Sequence, residues 1–106
     1  MIDDRKKNID KMLLVKKDKK DKKDKLELIR NKLLGEWAGN KLNLDSNLIK
    51  DYIQGVIQAD TNNIGYIDVI EKIEKDFINT NIKISYEEIR EKLIYFDKLA
   101  IEKMSN

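Results

Sequence analysis

The chain has 106 residues, enough for one domain and too few for two with separate cores. It contains no Cys, His or Pro, which excludes disulfides, thiolate zinc sites, a Cys nucleophile and the commonest general base. The formal net charge of +2 is unevenly divided: residues 1–34 carry thirteen Lys/Arg against seven Asp/Glu, and residues 35–106 carry nine against thirteen. No apolar run approaches the roughly 20 residues that span a bilayer. The N-terminus has no apolar signal core, so an intracellular protein without membrane contact is expected.

In chain order, "MIDDRKKNIDKMLLVKK" comes first, where Ile9, Met12, Leu13 and Val15 supply one or two amphipathic turns at most. Residues 16–25, "KKDKKDKKDK", form a three-residue repeat without an apolar side chain, which buries nothing to offset its ordering entropy. Helical spacing places Asp18 four residues before Lys22 and Asp21 four before Lys25. Each such pair contributes only about 0.2–0.5 kcal/mol, too little to hold a structure unaided. Residues 1–25 therefore read as a Lys-rich arm, helical or extended, and residues 26–106 as the folded body. The arm is either a solubilising tail or an electrostatic contact segment.

The body reads as all-α, a small four-helix bundle. A first helix is expected over residues 25–40, with Asp24 and Glu27 spaced as a capping box, a stripe of Leu26, Ile29, Leu33 and Trp37, and a break near Leu34 where Gly35 and Gly39 weaken the last turns. Asp45 or Ser46 caps a second, in which Leu48, Ile49, Tyr52, Ile53, Val56 and Ile57 recur as adjacent pairs. Gly55 in its middle implies close packing against a neighbour. The third covers residues 66–77, with Ile67, Ile70, Ile73 and Phe77 inward. The fourth opens at "ISYEEI": Ser85 caps, Glu88 completes a capping box, Ile84 staples against Ile89, and Leu93, Phe96 and Ala100 continue the stripe. The alternation of Ile82, Ile84 and Tyr86 also fits a strand, but a lone strand has nothing to pair with.

Between the second and third helices, "DTNNIGYIDVIE" approximates a calcium loop. Asp60, Asn62, Tyr66, Asp68 and Glu71 fall at ligand positions and Gly65 at the sharp turn. Ile64 stands where an oxygen ligand belongs, and no second loop of the kind follows at a helix-loop-helix length. A polar interhelical turn is therefore the primary reading and no metal or other cofactor is expected, with a single degenerate EF-hand as the alternative. Trp37, alone on an apolar face, reads as core.

The stretch "WAGNKLNLDSNLIKDYIQGVIQAD", through Trp37, Leu42, Asp45, Leu48, Ile49, Tyr52, Ile53, Gly55, Val56 and Ile57, resembles the PWI-like fold, most closely the type in coiled-coil domain-containing protein 43. The resemblance extends over about residues 34–100 and implies a eukaryotic ribonucleoprotein-associated protein, nuclear or cytoplasmic, ribosome-associated or in a processing complex. On this reading the chain is a noncatalytic adaptor with no small-molecule substrate. Its body binds protein, and Lys16, Lys17, Lys19, Lys20, Lys22, Lys23 and Lys25 contact RNA phosphates. A purely structural subunit is the further alternative. Among the carboxylates, lysines and tyrosines no catalytic constellation is discernible.

Overall fold

A computed structural model describes residues 23–60 and 66–105. Among the described residues four helices make up the fold: α1, described over residues 23–41, α2 over Ser46–Ala59, α3 over Ile67–Asn79 and α4 over Tyr86–Ser105. No strand occurs among the described residues, and Ile82 to Ser85 connect α3 to α4 without regular structure. The all-helical bundle expected from the sequence is the observed fold. The segment with Ile9, Met12, Leu13 and Val15, the repeat from Lys16 to Lys22, and residues 61–65 lie outside the described residues.

Local chemistry fixes four of the helix ends. Asp45 is the N-cap of α2, its carboxylate accepting from the Leu48 N–H at 2.9 Å. Before α4, the Ser85 hydroxyl oxygen accepts from the Glu88 N–H at 3.2 Å, and the hydroxyl donates to the Glu88 carboxylate at 3.5 Å. Two exits share one motif. After α1, Asn43 adopts φ 60°, with Leu44 N–H donating to the Gly39 carbonyl and Asn43 N–H to that of Asn40. After α3, Asn81 at φ 59° does the same, with Ile82 N–H donating to Phe77 and Asn81 N–H to Ile78. Both are left-handed Asn terminators of the Schellman type, using the non-Gly residue that tolerates this region best.

Leu34 and Ala38 from α1, Val56 from α2, Val69, Ile70, Ile73 and Phe77 from α3, and Ile89 and Leu93 from α4 form one contiguous core. Burying each large side chain contributes on the order of 1.5–3 kcal/mol before entropy is subtracted. Trp37 packs edge-on against Phe77, ring centroids 5.8 Å apart, as a half-buried side chain at the margin of the core and not within it.

α1 departs most from expectation. It runs unbroken through Gly35 and Gly39 and is already helical at residue 23, so Asp24 lies inside the helix and does not cap it. Its most buried face carries Arg30, Asn31, Leu34 and Ala38, whereas Leu26, Ile29, Leu33 and Trp37 are only half-buried. The reason is steric. A Cβ on Gly35 would lie 3.1 Å from Ile53 Cα, and one on Gly39 would lie 3.0 Å from Ile49 Cγ1. The two glycines thus let α2 run antiparallel across α1 at close range, and that contact turns α1 about its axis. Gly55 does not serve this purpose, since a Cβ there would meet only Lys72 Cε at 3.4 Å. Two apolar assignments also change: Val69 is buried in α3 while Ile67 is exposed, and Leu48 in α2 is 50% exposed.

Candidate functional site

Two polar clusters lie between the helices. The first joins α1, the end of α2 and α4. Arg30 and Asn31 are adjacent and buried, at 6% and 2% exposure. Arg30 Nη2 donates to Asp60 Oδ2 at 3.1 Å, Asn31 Nδ2 donates to the same oxygen at 2.8 Å, and Arg30 Nε donates to Asn31 Oδ1 at 3.2 Å. On the open side Arg30 Nη1 faces Asp97 Oδ1 at 3.7 Å. Burial of a guanidinium is costly unless its donors are matched, and here two carboxylates and an amide match them. No buried side-chain polar atom among the described residues lacks a partner.

The second cluster joins α2 to α3. The Tyr52 hydroxyl and Lys72 Nζ both donate to Asp76 Oδ2 at 2.8 Å, and Lys72 Nζ lies 4.8 Å from the Tyr52 ring centroid. Burial and the hydrogen bond to the Asp76 carboxylate, together with its charge, hold the Tyr52 phenol well above its ordinary value. It is a neutral donor across the physiological range, not a proton-transfer group.

The sequence candidates are only partly among the described residues. Asp60, the first position of the calcium-like loop, has its carboxylate bonded to Arg30 and Asn31. Tyr66 precedes α3, Asp68 and Glu71 belong to its first turns, and Asn62 lies outside the described residues. No group of three or more metal-ligating side chains occurs among the described residues. Of the lysines assigned to phosphate contact, Lys23 and Lys25 are exposed on the first described turn of α1, while Lys16, Lys17, Lys19, Lys20 and Lys22 lie outside the described residues. Arg30 and Asn31 were not singled out from the sequence. The available signal was spacing: Arg30 stands four and eight residues before Leu34 and Ala38, and Asn31 four and eight before Gly35 and Gly39, on one helical face.

A helical bundle with internally matched polar clusters defines a compact helical module with an acidic body and a cationic N-terminal region. The chain belongs to the ATPase inhibitor subunit zeta family, whose model matches residues 1–103. No curated protein and no solved structure matches it.

The family overturns the PWI-like reading. An apolar-apolar-x-x-Tyr-Ile pattern with a Trp upstream is shared by many amphipathic helix pairs and does not distinguish among bundles. The RNA adaptor function, the eukaryotic ribonucleoprotein and ribosome affiliations, the RNA partner and the nuclear or cytoplasmic ribonucleoprotein location fall with it. Neither alternative, a degenerate EF-hand or a purely structural subunit, is supported. No helix among the described residues is long and apolar enough to cross a membrane.

Proposed function

We propose that this chain is a noncatalytic regulatory subunit that inhibits an ATPase by binding to it. The family match over residues 1–103 carries the reading, because it takes in the Lys-rich N-terminal region together with the described helices up to the last turn of α4. The chemistry supports it. The chain has no His or Cys, and the part-buried carboxylates that bridge helices, Asp60 and Asp76, are bonded to internal partners, so neither is poised toward a substrate. Inhibition then falls to surface contact.

The charge partition supports two roles within that contact. Residues 26–106 supply the helical body, and residues 1–25 are a cationic segment that engages an acidic surface of the ATPase. Because α1 is already helical at residue 23, Lys23 and Lys25 project from a fixed frame at the junction. A cationic segment of this kind speeds association and makes it sensitive to ionic strength. The test titrates ATP hydrolysis by the purified ATPase of the source organism with the full chain and with a chain lacking residues 1–22. The full chain should inhibit saturably. The truncated chain should require a higher concentration, and the gap should narrow as salt rises. Undiminished hydrolysis at saturating full chain would refute the proposal.

A further inference from the structure

The surface of α3 away from α2 carries a stripe that the bundle does not cover. Ile67, Glu71, Glu74 and Ile78 follow one another at i, i+4, i+7 and i+11, a single helical face about 16 Å long at 1.5 Å per residue. Ile78 is 65% exposed and Ile67 39%. At its C-terminal end the stripe opens into a groove toward the start of α4, floored by Ile78, Ile82 and Ile84 and edged by Glu74 and Glu88. Apolar residues with carboxylates beside them therefore run the length of the face.

The sign of the charge is set by what the neighbouring cations do. Lys72 is bound to Asp76, and Arg90 faces Glu87. Glu71, Glu74 and Glu88 form no ion pair with any described residue, and the cation lining the groove is Lys83. The last turn of α3 bears no basic residue to offset the negative end of its dipole.

From this arrangement we infer that the α3 stripe and its groove receive a cationic amphipathic helix of the inhibited ATPase, laid along α3 with its apolar side chains on Ile67, Ile78 and Ile82 and its Lys/Arg beside Glu71, Glu74 and Glu88. The inference rests on the inhibitor reading above and assigns the body's own contact, separate from that of the N-terminal segment. Helix-in-groove recognition requires an apolar track with complementary charge at its edges, and both are present here.

The first test uses full-length protein labelled with 15N. The probe is a synthetic Lys/Leu amphipathic helical peptide of about four turns, and its Glu/Leu counterpart is the control. Saturable shifts at the amides of Glu74, Ile78, Ile82 and Glu88 with the Lys peptide alone are expected. Glu74→Lys with Ile78→Ser should weaken them about tenfold, as loss of one buried Ile contact and reversal of one charge imply. Scattered shifts, or equal response to the Glu peptide, overturn the inference. So does a dimer in sedimentation that Ile78→Ser abolishes. Ile78 is exposed and Glu74, half-buried at the groove edge, forms no ion pair with any described residue, so the melting temperature of the double variant should match that of the natural chain.

The second test is inhibition of the ATPase. The double variant should reach the same maximal inhibition at about tenfold higher concentration. If the natural chain inhibits and the variant inhibits equally at the same concentration, the docking surface is refuted while the inhibitor reading stands. If the natural chain does not inhibit, the inhibitor reading fails, and the site on the ATPase fails with it whatever the peptide shows.

Discussion

Asp60→Ala is the sharpest test of the buried cluster. The substitution removes the one oxygen that accepts from both Arg30 Nη2 and Asn31 Nδ2, leaving a guanidinium whose side chain is 8% exposed with the Asn31 amide oxygen at 3.2 Å and, as its one remaining carboxylate among the described residues, Asp97 at 3.7 Å. Removing one partner of a buried ion pair costs about 3–5 kcal/mol, and hydrogen bonds to charged groups contribute about 1.5–3 kcal/mol each. Asp97 is 35% exposed, so water reaches that side of the guanidinium and the low end applies, about 3 kcal/mol. A domain of this size loses about 4–8 °C of Tm per kcal/mol, which gives a fall of about 12–24 °C. Asp60→Asn keeps an acceptor and loses the charge, and should cost about half as much. Circular dichroism melts and urea titrations measure both. The loss should be the same in chelator and in millimolar calcium, since the carboxylate serves Arg30 and not an ion. A cost for Asp60→Ala below about 1 kcal/mol, or equal costs for Ala and Asn, would refute the argument.

The glycines and Tyr52 give three further expected outcomes. Gly55→Ala should stabilise by about 0.5–1 kcal/mol, because its Cβ meets only the end of the Lys72 side chain in ordinary contact. Gly35→Val should destabilise by about 1–3 kcal/mol, because its side chain would press on the Ile53 backbone; urea titration of the two should give opposite signs. The Tyr52 phenol is raised in the folded state, so its contribution to stability is complete below the ordinary tyrosine value of 10.0 and is lost as pH climbs above it, where the unfolded chain ionises first. Tyr52→Phe should therefore flatten the decline of stability above about pH 10 relative to the natural chain; identical profiles would count against the Asp76 contact.

The legible parts of the fold are those written in short-range chemistry. Asp45 and Ser85 announced two helix starts because a cap needs only an oxygen acceptor two or three residues from the N–H it serves. The stripe Ile70, Ile73 and Phe77 identified the inner face of α3, and Ile89, Leu93 and Ala100 that of α4. The Asn exits were equally local, though "KLNL" and "NTNI" resemble many polar turns until the left-handed φ is seen. The candidate sites were far less legible. Asp60 was noticed as an oxygen ligand, yet its partners are twenty-nine and thirty residues away in sequence. No local pattern joins Arg30 and Asn31 to it. The family was also misread, since the residues quoted for the PWI-like likeness describe an amphipathic helix pair and not one particular bundle.

By itself the sequence determined that this chain would be helical, where most of its helices begin, and that its charge would be split between a cationic N-terminal region and an acidic remainder. Caps, propensities and the 3.6-residue period act within a few positions, so no tertiary information is needed to read them. Only the tertiary structure decided that Gly35 and Gly39 are a seat for α2 and not a weak point, that a charged arginine goes inside, and that Ile67 and Ile78 remain at the surface. Those outcomes depend on which helix approaches which face and at what distance. That is settled by steric fit and charge matching between segments far apart in the chain, and a single helix carries no record of its neighbour's shape.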